Sequence, residues 1–140
     1  MTAVTADFQS IPSNQRPWRG RERRVNRPTD VASALICAFD HAVRRADLDV
    51  LLVADEFGTV VANNTTHLDL QELAAVTPIV GRGRALATVR RAGRERGLSV
   101  RRMHVLGETL YVAALGGDDA DDREREVAHS IAATRRILLG

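Results

Sequence analysis

The sequence predicts an α+β domain: a central, mostly antiparallel sheet of four to five strands, with the first and last helices on one face and an interrupted middle helix on the other. Three observations carry this. Leu48–Ala54 is apolar at every position but Asp49, so it reads as a strand covered on both faces. Thr109–Leu115 is apolar on both parities in the same way and predicts a second central strand beside the first. Near each end of this region an apolar stripe recurs at helical spacing: Val31, Leu35, Phe39 and Val43, then Val127, Ile131, Thr134 and Leu138.

Met1 to Pro28 reads as a separate, flexible arm ahead of a single domain at 29–140. It holds Pro12, Pro17 and Pro28 and six arginines between Arg16 and Arg27, with its apolar residues scattered out of period. Arg16, Trp18, Arg19, Arg21, Arg23 and Arg24 are its candidate contact residues for nucleic acid, an anionic surface or an acidic partner, since clustered guanidinium groups attract anions and an indole can stack on a base. The plainer account is a solubilising arm.

The first helix is expected just after Pro28, capped by Thr29 or Asp30, with Cys37 a half-buried filler. Asp55-Glu56-Phe57-Gly58 then makes a tight turn. Aspartate favours its first position, and glycine supplies the positive φ of a hairpin with a bulge. Thr59–Asn63 returns as an edge strand. Asp69 and Glu72 have the spacing of a capping box before a helix at Leu70–Val76, which Pro78 should break near Thr77. A second helical run is expected over Arg84–Arg96, stopped by Gly97. Gly81-Arg82-Gly83-Arg84 looks superficially like a phosphate cradle, but no strand precedes it and its spacing fits no phosphate-loop pattern; it reads as a joint between helical pieces. In Leu98–Leu106 the apolar parity switches between Val100 and Met103. That implies a bulge at Arg101-Arg102, or an edge strand starting there. Gly107-Glu108 is the next turn. The acids from Asp118 to Glu126 suit the N-terminus of the last helix.

Composition narrows the function classes. With 44% hydrophobic and 4% aromatic residues, the core must be built from Val, Leu, Ile and Ala, with Phe39, Phe57 and Tyr111 as larger pieces. All 20 basic residues are arginine, a bias that fits a GC-rich genome better than a function. The single cysteine leaves no internal disulfide and no cysteine-based zinc site, and His41, His67, His104 and His129 show no metal spacing. No Gly-x-Ser-x-Gly elbow occurs, and Asp55-Glu56 is explained by its turn. No enzyme activity, cofactor or metal is therefore expected. Without a membrane span or the apolar stretch of a signal peptide, the expected location is the cytoplasm.

The order helix, two strands, interrupted helix, two strands, helix, with the hairpins Val50–Ala62 and Met103–Ala113, resembles the roadblock/dynein light-chain family, a longin/profilin-like sandwich, over 29–140. That family usually has five strands against the four clear here, so the chain must double back near Pro78 and Gly81, or Val76–Val80 is itself a short strand. The resemblance implies a non-enzymatic, homodimeric scaffold that pairs through its middle helix and an edge strand and acts on a small GTPase. On this sequence that places the partner interface at Arg84, Val89, Arg90, Arg91, Arg101, Met103 and Val105. The same pattern also fits a GAF-like or profilin-like small-molecule sensor. A third alternative is a nucleic-acid-associated protein using the arginine-rich arm.

Overall fold

The computed structural model describes residues 4–5, 28–83 and 88–140. The chain runs β1 (Val4–Thr5), α1 (Pro28–Ala46), β2 (Leu48–Asp55), β3 (Val60–Asn63), α2 (Gln71–Gly81), β4 (Thr88–Arg91), β5 (Arg94–Val105), β6 (Glu108–Gly116) and α3 (Ala120–Leu139). The sheet order is β1-β4-β5-β6-β2-β3, antiparallel throughout except for the two-residue parallel pair of β1 with β4.

The two strands predicted to be central are neighbours. β2 pairs with β6 from Leu48↔Gly116 to Asp55↔Leu110, and each is buried on both faces. Side chains alternate across the sheet, which divides the core in two. On one face Leu51, Val53, Met103, Val105, Leu110, Val112 and Ala114 pack under Leu35, Phe39 and Ala42 of α1 and Val127 and Ile131 of α3. On the other, Val50, Leu52, Ala54, Val89, Leu98, Ala113 and Leu115 pack under Leu70, Leu73, Ala74 and Val76 at α2. First and last helices share a face and the middle helix takes the other, as the sequence predicts.

Several local expectations change. α2 is not interrupted: it continues through Pro78 to Gly81. A proline inside a helix costs about 3 kcal/mol, and here the burial of Leu73, Ala74, Val76, Thr77 and Pro78 opposes that cost. Val76–Val80 is accordingly helix, not strand. The capping box does not form; Asp69 Oδ1 accepts only from Gln71 N, at 3.1 Å, and the N-cap position is Leu70. Gly81 is a close-approach residue, because a Cβ there would stand 2.5 Å from the Tyr111 ring.

The run from Thr88 to Arg96 is a β-hairpin, not a helix, with Ala92 and Gly93 both at positive φ, 52° and 78°. Arginine and alanine suit helices, but the Ala-Gly pair permits a two-residue turn and Val89 alone anchors β4 in the core. β4 is the fifth main strand, and it brings the chain back from α2 in the direction an antiparallel sheet needs. Gly97 is no helix stop. It lies in β5, where a Cβ would collide with the Arg123 guanidinium, which bonds Ser99 Oγ at 2.9 Å and the Gly116 carbonyl at 3.0 Å.

No bulge occurs at Arg101-Arg102. β5 keeps one register with β6 from Leu98↔Leu115 to Val105↔Glu108. The parity switch has another cause: Leu98 belongs to the α2-side core and Met103 and Val105 to the α1/α3-side core. The turn that follows is Leu106-Gly107, at φ 53° and 78°.

Candidate interaction surfaces

The predicted interface residues separate. Val89, Met103 and Val105 are buried in the two cores, so their side chains are not available to a partner. Arg90 is more than half exposed and lies 4.0 Å from Glu95, itself more than half exposed, and Arg101 stands 3.8 Å from Glu124 in α3. Ion pairs this open to water contribute little. Arg91 is 4.0 Å from Asp49. Arg84, and with it the arm residues Arg16, Trp18, Arg19, Arg21, Arg23 and Arg24, lies outside the described residues. The expected edge strand at Arg101–Leu106 falls at the end of a longer β5, which pairs with β4 only over its N-terminal residues Arg94–Gly97 and with β6 over Leu98–Val105. The outer strands are β3 on one side and β4, flanked by β1, on the other.

A surface absent from the sequence reading lies along α2. The β2–β3 turn is held by Asp55, whose Oδ1 accepts from the amides of Phe57 and Thr59, each at 2.9 Å, while Gly58 takes φ 82°. The turn leans on α2 at two points. A Cβ on Gly58 would stand 2.9 Å from Ala75 Cα, and Arg82 donates to the Glu56 carbonyl at 3.2 Å. Ala75, Ile79 and Arg82 follow one another along a single stripe of the helix. Phe57, between two residues that touch this stripe, is 86% exposed, and Ile79 is 42% exposed. Phe57 was expected in the core, as Phe39 and Tyr111 are; its place at the hairpin tip projects it into solvent instead. The position of Phe57 in the turn was legible. That the turn would rest on α2 was not.

Two ion pairs with covered carboxylates explain acids that seemed incidental. Asp49, which breaks the apolar run of β2, takes two bonds from Arg96, at 2.9 and 3.1 Å, with both side chains more than four-fifths covered. Glu126, grouped above with the dipole-facing acids of α3, is buried and takes two bonds from Arg45 of α1, at 2.9 and 2.7 Å. The bonded Arg45 guanidinium holds the Glu126 carboxyl below its ordinary pKa. Asp119 caps α3 by accepting from the amides of Asp121 and Asp122. Cys37 is exposed, not half-buried. Among the described residues no group of three or more His, Cys, Asp or Glu side chains is placed to hold a metal ion, and no helix is long and apolar enough to cross a membrane.

No family model and no curated protein matches the chain. Solved structures do. Myxococcus xanthus MglB matches with a TM-score of 0.53 and 12% identity, covering 76% of this chain and 89% of that one. The gliding protein MglB from Thermus thermophilus gives 0.57 and 14%, over 76% and 90% of the two chains. An MglB in a tetrameric arrangement gives 0.57 and 14%, over 76% and 89%. At these identities the likeness establishes the fold, and the fold is the roadblock-like one that the order of elements predicts.

Proposed function

We propose that the chain is a non-enzymatic regulatory scaffold which pairs with a second copy of itself across the α2 face and acts on a small GTPase. The exposed Phe57–Ile79 surface beside α2 carries this reading. Single exposed apolar residues are ordinary on a protein surface. Here an exposed isoleucine on a stripe of α2 and an exposed phenylalanine in a turn that meets the same stripe through Gly58 and Arg82 form a preformed surface. A two-fold contact uses every residue twice, and one modest patch on each chain becomes a doubled apolar centre. The shared fold with MglB, one example of which assembles as a tetramer, supports self-association as the working state. A GTPase target is what the roadblock resemblance adds. The arm at 1–28 is proposed as an accessory to the domain at 29–140, in the cytoplasm.

Light scattering across a concentration series tests the pairing. The native chain should be a dimer, and Phe57→Asp with Ile79→Asp should be a monomer that melts within about 2 °C of it, because both side chains are exposed. A native chain that stays monomeric at high concentration would remove the dimeric scaffold and favour the small-molecule sensor. The GTPase target is tested by co-purification from the native cell, followed by single-turnover GTP hydrolysis with and without this protein. An unchanged rate and no GTP-binding partner would remove that part alone.

A further inference from the structure

We infer that the surface where Arg82, Arg102, His104 and Thr109 meet around Tyr111 is a binding site for a phosphate dianion, free or as the terminal monoester of a small molecule. It lies on the sheet past the C-terminal end of α2 and does not depend on self-pairing.

Side chains of β5 alternate. Ser99, Met103 and Val105 turn to the side of α1 and α3, and Leu98 and Val100 to that of α2. Arg102 and His104 therefore stand on the α2 side, where the register sets them opposite Tyr111 and Thr109 of β6. Side chains so opposed leave the backbone about 5 Å apart. α2 ends over the same ring: a Cβ on Gly81 would stand 2.5 Å from Tyr111 and 3.1 Å from Val100 Cγ1. The next residue, Arg82, holds its guanidinium over that ring, 5.9 Å from the centre. Three elements thus bring two guanidinium groups, an imidazole and a hydroxyl to one place.

The place is positive and not neutralised from within. Other arginines of the sheet face acids: Arg90 has Glu95, Arg96 has Asp49 and Arg101 has Glu124. Among the described residues neither Arg82 nor Arg102 has a carboxylate within 4.0 Å. Two guanidinium groups beside one ring repel each other, and a dianion between them reverses that. Phosphate suits them in shape as well as charge. Its tetrahedral oxygens can accept from forks on different elements, whereas a planar carboxylate matches one fork. The donors are partly fixed beforehand, which lowers the ordering cost of binding. Arg82 donates to the Glu56 carbonyl at 3.2 Å, and Thr109 Oγ1 lies 3.1 Å from His104 Nδ1, which leaves Nε2 for a ligand. The negative end of the α2 dipole is nearby, but the amides of Arg82 and Gly83 already cap the carbonyls of Pro78 and Val80. The glycine–arginine run that resembles a phosphate cradle thus contributes a side chain in place of a backbone loop.

NMR titration of the full-length chain with inorganic phosphate, at an ionic strength held constant with chloride, tests this. Amide and arginine side-chain signals of Arg82, Arg102 and His104 should move along one saturable curve. Arg82→Gln and Arg102→Gln should each weaken binding by about tenfold, the loss of one charge-assisted contact. Both side chains are exposed, so the melting temperature should hardly change; if Arg82→Gln loosens the Glu56 turn, Arg102→Gln still decides. Arg101→Gln, next in sequence but on the opposite face beside Glu124, should bind as the native chain does. Phenyl phosphate, titrated in parallel, separates the two sources: equal or tighter binding assigns the site to a monoester, exclusion assigns it to the free ion, and either supports the site. Three results overturn the inference. These are signals that drift without saturating, a loss in Arg101→Gln equal to that in Arg102→Gln, or acetate binding as tightly as phosphate. The same titration of Phe57→Asp with Ile79→Asp should give the same curve whatever light scattering says of the dimer, so the two readings fail separately. A site present in only one of the two chains would belong to the pairing face, and the inference would fall.

Discussion

The sheet has a short outer strand on each side, β3 and β4, each four residues long, and the two are held by different means. β3 is fixed by side chains. Asp55 clamps its turn through two amides, and Asn64 at its end continues the ladder, its Oδ1 accepting from Leu51 N at 2.9 Å while its own amide donates to the Leu51 carbonyl at 3.0 Å. Asp40 of α1 then holds Thr65 by its amide and hydroxyl, at 2.7 and 2.8 Å. β4 has one buried side chain, Val89, a turn of Ala92 and Gly93, and the Asp49–Arg96 pair across its root. A clamped outer strand belongs to the cooperative unit. A strand held by its ladder, one buried side chain and ion pairs at 4.0 Å can open by itself. That difference makes β4 the looser of the two outer strands.

The strongest test removes what both outer strands lean on. Leu52 is fully buried between α2 and the β2–β6 centre. Leu52→Asp should unfold the domain outright, a loss of more than about 4 kcal/mol for an unpaired buried charge. Circular dichroism of the purified variant reads it. A folded, soluble Leu52→Asp would mean that the centre is not shared and that the two outer regions are independent.

The next test separates the two sides. Asp49→Ala deletes a largely covered partner of Arg96 and should cost about 2–3 kcal/mol, and the loss should appear as faster exchange over residues 88–97. Asp55→Ala leaves two turn amides without their acceptor and should cost about 1–2 kcal/mol. That loss should appear as a lower melting temperature for the whole domain. If both variants lowered the melting temperature in proportion to their costs, β4 would be as cooperative as β3 and the contrast would fail.

The same contrast explains what could be read from the chain. The β2–β3 hairpin was legible because its turn is written in side-chain chemistry, an aspartate to accept and a glycine to bend. So were β2, β6 and both outer helices, where apolar runs and stripes are long. β4 was not, because its hairpin, Thr88 to Gly97, holds one buried side chain and is otherwise mostly arginine, alanine and glycine, a stretch whose arginines and alanine local propensity assigns to helix. The switch of parity in β5 was visible, but its cause was not; it comes from α2 covering one end of the strand and α1 and α3 the other. Of the surface residues, the sequence placed Arg90 and Arg91 on a helix where the structure has strand β4, and burial withdraws Val89, Met103 and Val105 from any partner. Phe57 went the other way, since a hairpin tip leaning on a distant helix leaves no local signal.

The smallest effect discriminates most finely. Ala92 holds φ 52° in an exposed turn, a conformation that costs an alanine about 1 kcal/mol and that asparagine tolerates better. Leu106 has the same strain at φ 53°, but its side chain packs on the core, so it offers no comparable free substitution. Ala92→Asn should therefore stabilise the β4–β5 hairpin by about 0.5–1 kcal/mol. If the hairpin opens on its own before the domain unfolds, that gain should slow exchange at residues 88–97 by about 2- to 5-fold, the same free energy expressed as an equilibrium ratio. The melting temperature should then stay where it was, because global unfolding begins from molecules whose hairpin is already open. If instead the melting temperature rises by the roughly 2 °C that such a gain gives a cooperative domain of this size, the hairpin is part of the core unit. The β4 edge would then be a fixed boundary of the sheet, as firmly held as β3.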